Sequence, residues 1–388
     1  MGLAEPISVE ETPMILQLTE REKRFLDQVR EFVRVEVKPN HRKWEIEGGW
    51  PDSLWKPMAD MGLLHMVVPQ EMGGFGVSCQ TYAEAVREVS KGDGALGMNV
   101  AALNALGAGH LVNYATPEQR ELYLPKVISG EMLLAWGLTE PTAGTDARGV
   151  RTTAVPDVSG KHGPDRYLLN GEKMFITNGG RAHLIVIIAR LSEEELGGFL
   201  LQTNDPGFEL LSRIETTGVK ASYTTRFRMH DAIGWRTNGT FRECISLLYR
   251  GRIGIGSMAL GIGEAAFEAM VEHAKTREQF GKPLAKQQAI QWMIADSKME
   301  LEAGRLMLHK AAWMYDEGQD MVSEASQAKL LASIAGKNAT DRAIQILGGR
   351  GYTVDYDVEK YWRDARLCEI GEGSSEVQRI IIAKRALR

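Results

Sequence analysis

The strongest constraint on this chain is the order in which its hydrophobic periodicity changes: helical, then strand-like, then helical again to the end. Between residues 15 and 131, apolar positions recur at helical spacing. Thr19 and Glu22 read as a capping box ahead of Phe25, Val29, Phe32 and Val33, which share one helical face. Thr116, Pro117 and Gln119 repeat that signature. Between them, "TYAEAVREVSKGDGALGMNVAALNALGAGHLVNYA" mixes helix formers with small residues, which predicts two closely packed helices. The texture changes near Leu133. "RYLLNGEKMFITNGG" holds two short apolar runs around Asn170-Gly171 and predicts a hairpin. "LIVIIAR", "GFLLQ" and "TRFRM" are further strands at short spacing, so residues 132–240 read as all-β, a small barrel or sandwich. From about Phe241 the helical period returns. Residues 284–315 and 327–347 are long amphipathic segments with short connections, as in an antiparallel bundle. Blocks in this order argue against a doubly wound sheet, in which strands and helices alternate throughout. Segments 15–131, 132–240 and 241–388 suit a chain of 388 residues, longer than one hydrophobic core usually serves.

Charge narrows the partners. A net charge of −5 leaves no basic footprint for nucleic acid or an anionic membrane surface. Cys79, Cys244 and Cys368 are scattered without a CxxC spacing, which argues against a disulfide framework or a zinc site and suits a reducing compartment. The opening "MGLAEPISVEETPM" is acidic and lacks the basic-then-apolar pattern of a secretory signal. Apolar runs such as "LIVIIA" are far shorter than a bilayer span. The expectation is a soluble protein, cytoplasmic or else a processed mitochondrial matrix form, with no membrane span, no nucleic-acid partner and no metal.

One motif misleads. Gly254-Ile-Gly256-Ser-Met-Ala259 matches GxGxxA, and Glu272 lies near the distance expected of a ribose-binding acid. That dinucleotide fingerprint needs a preceding strand and a βαβ unit. Here Arg250 and Arg252 occupy the positions of buried strand residues, and helical sequence follows. Close packing of two helices accounts better for the glycines.

Residues 369–379, "EIGEGSSEVQR", pose a sharper question, because Glu372 sits between two glycines at the mouth of a C-terminal helix. Ser374 and Ser375 read as N-cap residues, and Val377, Ile380, Ile381 and Ala383 follow at helical spacing. Other stretches have the same functional look. "GLTEPTAGTD" (137–146) joins a strand end to a hydroxyl-rich turn, and "FITNGG" (175–180) sets an aromatic and an amide after the expected hairpin. "REQFGKPLAKQQ" (277–288) places an arginine and an aromatic before a tight turn, while "QILGGRGY" (345–352) ends a helix with glycines.

Together and in this order, these stretches resemble the acyl-CoA dehydrogenase family over nearly the whole chain. The resemblance extends from "LTEREKRFLDQVREFV" through "EQRELYLPKVISGE" to "RDAR…EGSSEVQRIIIAKRAL". It implies a mainly α fold with a helical N-terminal domain, a middle β-barrel and a C-terminal four-helix bundle. It further implies bound FAD, a homotetramer, an acyl-CoA substrate and an electron-transfer flavoprotein as electron acceptor. Glu372 matches the family's base, which takes the α proton while the flavin takes a hydride from the β carbon. In some members the base stands where this chain has Gly251, so the alternative position is vacant. Arg252 is then a cation beside the acid loop, and Gly371 and Gly373 let backbone approach the thioester. By resemblance, Trp136, Leu138, Thr139, Phe175, Ile176 and Thr177 flank the flavin ring. Gly144 and Thr145 lie near its pyrophosphate, Thr145 also facing substrate. Arg277, Phe280, Gln288, Gln345, Gly348 and Gly349 match residues holding the adenosine diphosphate half, some from a neighbouring subunit. Ser374 and Glu376 match cofactor contacts after the base. Many relatives carry tyrosine where Gly371 stands, and a proline in the segment that here reads "DAIGWRTNG". Rival readings on the same fold are an acyl-CoA oxidase, a carrier-protein dehydrogenase and a DNA-associated homologue; the last would need a basic domain.

Overall fold

The computed structural model describes Leu16 and residues 18–388; the acidic opening segment and residue 15 lie outside the described residues. The N-terminal helices are α1 (Glu20–Phe32), α2 (Lys38–Glu47), α3 (Trp55–Asp60), α4 (Cys79–Gly92), α5 (Gly94–Ala102), α6 (Gly109–Tyr114) and α7 (Pro117–Ile128). Both expected capping boxes form, at Thr19 with Glu22 and at Thr116 with Gln119. Phe25, Leu26, Val29 and Phe32 are buried as the helical face requires. Val33 is only half-buried, because it opens a π-helical turn over Val33–Val37 that rotates the face.

The middle strands are β1 (Leu134–Gly137), β2 (Thr153–Pro156), β3 (Arg166–Ile176), β4 (Leu184–Arg190), β5 (Leu196–Gln202), β6 (Phe208–Arg213) and β7 (Thr225–Thr240). They form a seven-stranded sheet in the order β1-β4-β2-β3-β7-β5, with β6 beside β7 and an additional β4–β5 pairing. The middle segment is thus a sheet domain. Strand β4 shows why "LIVIIA" is uniformly apolar. Leu184 and Val186 join the main helical core, while Ile185, Ile187 and Ala189 fill the sheet's own core.

The expected hairpin at Asn170-Gly171 does not exist. Strand β3 runs straight through these residues and takes β7 as its antiparallel partner, with a register shift between Leu169 and Gly171. Gly171 has φ 151°, and a Cβ there would lie 2.5 Å from Thr152 Oγ1. The Asn170 side chain donates to Asp231 Oδ1 at 2.8 Å and accepts from the Asp231 N–H at 3.0 Å. The Asn-Gly pair marks a β-bulge, a feature that wants the same residue types as a turn.

Strand β7 passes directly into α8 (Phe241–Thr276) through a capping box at Thr240, and "DAIGWRTNG" lies wholly within that strand. The remaining elements are β8 (Glu278–Gln279), β9 (Lys282–Pro283), α9 (Gln288–Asp316), α10 (Val322–Leu347), α11 (Val358–Leu367) and α12 (Ser375–Ala386). A Cβ on Gly256 would sit 3.4 Å from Lys329 Cα, and one on Gly263 2.8 Å from Gly336 Cα. Equal steps along both helices mean that α8 and α10 run parallel. On the opposite face, a Cβ on Gly254 would overlap the Tyr82 hydroxyl of α4. The apparent dinucleotide fingerprint is therefore helix packing.

Two helical stretches, Gly94–Tyr114 and Phe241–Thr276, are long and apolar enough by composition to cross a membrane, contrary to the reading of apolar runs. Of the tested window in each, 89% and 78% is buried inside the protein, so these apolar residues serve the core. The three cysteines are free and buried.

Candidate active site

After α11 the chain turns back on itself to start α12. The Gly371 N–H donates to Leu367 O at 2.9 Å, and the Ser375 N–H donates to Glu369 O at 3.0 Å. Glu372 sits at the crest with φ 52°, a left-handed conformation uncommon for a residue with a Cβ. Gly373 follows at φ 96°, where a Cβ would lie 2.8 Å from Gln378 Nε2. Gly371 differs. Its φ is ordinary, and a Cβ there would meet only Leu367 at 3.7 Å or more. Of the two flanking glycines, the backbone requires only the second. The Gly373 carbonyl is clamped twice, by Gln378 Nε2 at 2.8 Å and by Lys329 Nζ at 2.5 Å.

The Glu372 carboxylate lies against Gly251 of α8, where any Cβ would overlap Oε2. Oε2 is buried and has no hydrogen-bond partner. Burial pushes the carboxyl up to about 7, against the pull of Lys329 and then Arg252. Arg252 is 5% exposed, so it is no solvated helix arginine. Its Nη1 donates to Ser326 Oγ at 3.4 Å, its guanidinium lies 5.2 Å from the Tyr249 ring centre, and burial lowers its proton affinity. Gly251 and Gly254 are one turn apart on α8, which places the Tyr82 hydroxyl beside the carboxylate. Among the described residues, the Glu372 N–H donates to no backbone group. Ser374 takes the N-cap position of α12 without a side-chain bond, and Glu376 is exposed.

A second group forms where β1 and β3 end. Thr139 O accepts from the Met174 N–H at 2.9 Å, which brings the 137–146 and 175–180 stretches together. Beneath them Lys173 Nζ pairs with Glu140 Oε1 at 2.7 Å and donates to Leu138 O at 3.1 Å and Ile188 O at 2.8 Å. Burial lowers Lys173 to about 8 despite Glu140. Trp136, Thr139 and Thr177 are half-buried, Leu138 and Ile176 buried, and Gly144 and Thr145 exposed on the turn. Trp136 Nε1 is buried without a partner, and Phe175 is 57% exposed at φ 59°.

The third group is elsewhere. Arg277, Phe280, Gln288, Gln345, Gly348 and Gly349 are all exposed at the end of the bundle where α8 and α10 stop. Phe280 is 94% exposed and, with Gly281, makes the positive-φ turn between β8 and β9. Gly348 and Gly349 have open space where a Cβ would be. Along α8, Arg277 is about 39 Å from Gly251 at the helical rise. The residues expected to hold one cofactor therefore do not all converge within one chain.

Sequence reading missed Lys329, Lys173 and Glu140. Glu140 stands inside the quoted "LTEP" and could have been noticed there. The two lysines lie in helix and strand patterns where a solvated lysine is the ordinary expectation.

The chain matches the N-terminal, middle and C-terminal domain models of acyl-CoA dehydrogenase over residues 19–131, 135–232 and 241–387. It is 35% identical to the mitochondrial short-chain specific acyl-CoA dehydrogenase of Homo sapiens, over 96% of this chain and 92% of that protein. The butyryl-CoA dehydrogenase structure from Megasphaera elsdenii superposes with TM-score 0.91 at 33% identity, covering 96% of this chain and 99% of that one. A glutaryl-CoA dehydrogenase from Mycobacterium smegmatis, in complex with FADH2, gives TM-score 0.89 at 27% identity, covering 95% of each chain. By domain order, length and fold, this chain belongs to the acyl-CoA dehydrogenase family of FAD-dependent oxidoreductases.

Proposed function

We propose that the protein oxidises an acyl-CoA thioester to the trans-2-enoyl-CoA, with Glu372 as the base that removes the α proton. The observation that carries this reading is the buried, unpartnered Oε2 of Glu372, held over Gly251 with its proton affinity raised to about 7. A carboxylate so desolvated is a far better base than one in water, and it titrates near neutral pH. The free Glu372 N–H is suited to receive the thioester carbonyl, which acidifies the α proton.

The residues present fit FAD. Phe175 and the orphaned Trp136 Nε1 suit a flat ring with polar edges, and open backbone at Gly144, Gly348 and Gly349 suits phosphate and ribose. Trp136, Leu138, Thr139, Phe175, Ile176 and Thr177 would hold the ring side, with Gly144 and Thr145 near the pyrophosphate and Ser374 and Glu376 beside it. Bound FAD supplies the acceptor for the β hydride. Arg277, Phe280, Gln288, Gln345, Gly348 and Gly349 would hold the nucleotide half for a neighbouring subunit, which accounts for their distance from Glu372 along α8. Arg252 and the glycines flanking Glu372 would face the thioester.

With this reading we assign the segments 15–131, 132–240 and 241–388 as domains, the middle one a β-barrel and the last a four-helix bundle. We further assign a homotetramer, an electron-transfer flavoprotein as acceptor and a cytoplasmic place in fatty acid metabolism. The test is Glu372→Gln. The variant should remain yellow and bind acyl-CoA, yet its anaerobic flavin reduction should fall by roughly 10²- to 10⁴-fold. Reduction at the wild-type rate would remove Glu372 from the mechanism.

A further inference from the structure

Lys329 is 1% exposed in the first third of α10, a rare situation for a lysine. Among the described residues it forms no salt bridge, so no carboxylate oxygen within 4.0 Å offsets its desolvation. Its Nζ instead donates to the Gly373 carbonyl at 2.5 Å. That carbonyl already receives Gln378 Nε2 at 2.8 Å, so satisfying it does not require a buried cation. Backbone room for the lysine comes from Gly256, whose added Cβ would lie 3.4 Å from Lys329 Cα.

We propose that Lys329 is a positioning residue for the acid loop: it pins Gly373 so that the Glu372 carboxylate stays over Gly251, and its ammonium keeps that carboxylate ionised. The inference rests on the reading of Glu372 as base. The charged and titratable groups around the pair support it. From α4 comes Tyr82, from α8 Arg252, and from the end of α11 and the loop Cys368, Glu369 and Glu372, with Cys79 and Arg250 beyond them around Tyr82. Glu369 is already paired with Arg366, which leaves Glu372 as the carboxylate without a partner. Tyr82, Cys79 and Cys368 are held protonated by desolvation and supply no counter-charge for the lysine. Burial lowers Lys329 to about 8, and Glu372 is among the groups that pull it back up. The same attraction lowers Glu372, with Lys329 ahead of Arg252.

The sign follows. Proton abstraction requires the carboxylate, so the rate rises with pH through the Glu372 titration. Removing the Lys329 charge raises that titration and moves the rising limb to higher pH. The experiment uses FAD-loaded protein carrying Lys329→Met or Lys329→Arg. Anaerobic flavin reduction by butyryl-CoA is followed from pH 5 to 9, and amide hydrogen exchange is measured across residues 369–376. With Lys329→Met, the limb should move up by about one pH unit, and the loop amides should exchange roughly tenfold faster. Lys329→Arg should return the limb towards wild type. If Lys329→Met fails to fold, Lys329→Gln, which also removes the charge, is read in its place. An unmoved limb with unchanged loop exchange overturns the proposal, whatever happens to the melting temperature. Glu372→Gln run alongside keeps the two ideas apart. Wild-type reduction by that variant sinks the base, whereas its loss beside an unmoved Lys329→Met limb and unchanged loop exchange sinks only the role of the lysine.

Discussion

Helix α8 begins in one kind of environment and ends in another. Near Gly251 it is crowded: the Glu372 carboxylate lies where a side chain would be, and the Tyr82 hydroxyl does the same at Gly254. At its far end Arg277 and Phe280 are exposed, and Gly348 and Gly349, just past the end of α10, have open space. The first region is desolvated and leaves a buried oxygen without a partner. The second exposes an aromatic and leaves backbone uncovered. Burial without satisfaction alters proton affinity, whereas exposure without burial offers contact area. The crowded stretch of α8 is thus suited to raise a carboxyl's proton affinity, and the open end presents free surface.

That contrast can be broken most directly at Gly251. Gly251→Ala should displace the Glu372 carboxylate and lower the flavin reduction rate by roughly 10²-fold, the scale of an ångström-sized misplacement. Since the displaced group is the end of a flexible side chain, the melting temperature should change little. Normal turnover would show that the carboxylate works from another position. Gly349→Ala, placed in the open region, should be neutral in the isolated subunit by the same reasoning.

A stability measurement sharpens the crowded side. Glu372 holds its proton up to about 7 when folded and up to its ordinary 4.5 when unfolded. Between those values the folded state binds more protons, so stability falls as pH rises through that window and stays lost above it. Glu372→Gln escapes the loss. Its stability gain over wild type should be near zero at pH 4.5 and on the order of 2 kcal/mol at pH 8, read from urea unfolding. An equal gain at both pH values would mean that the carboxyl is not desolvated.

At the open end, Arg277→Ala should leave the apoprotein's stability within about 0.5 kcal/mol while weakening FAD retention roughly tenfold. Removing FAD should also lower the subunit assembly seen in sedimentation, since a cofactor bound across two chains stabilises their association. If FAD removal changed neither assembly nor melting temperature, the two-subunit site would be untenable.

A substrate-dependent effect is expected at Gly371. Its ordinary φ and the free space beside it allow a tyrosine without backbone strain. Gly371→Tyr should therefore keep its FAD and lower kcat/KM for branched or ring-bearing acyl-CoAs roughly tenfold relative to a straight chain. An equal loss on every substrate would show that the glycine serves the loop rather than the pocket.

What the sequence determined by itself was local or cumulative. The capping boxes at Thr19 and Thr116 involve residues three apart, and the block order of helix, strand and helix sums many weak signals. Glu372 was legible because its glycine neighbours and the start of α12 lie within the same few residues. Tertiary structure decided whatever depended on a distant partner. Asn170-Gly171 became a bulge because β7 occupies the place a hairpin's second strand would take. Gly251, read as an empty position, is the floor on which Glu372 rests. Lys329 and Lys173 looked like solvated lysines, yet one clamps the acid loop and the other anchors Glu140 and the ends of β1. Such roles carry no local signature. A lysine's environment is set by whichever helices and strands fold over it, and the desolvation that gives these groups their chemistry does not exist until the core closes.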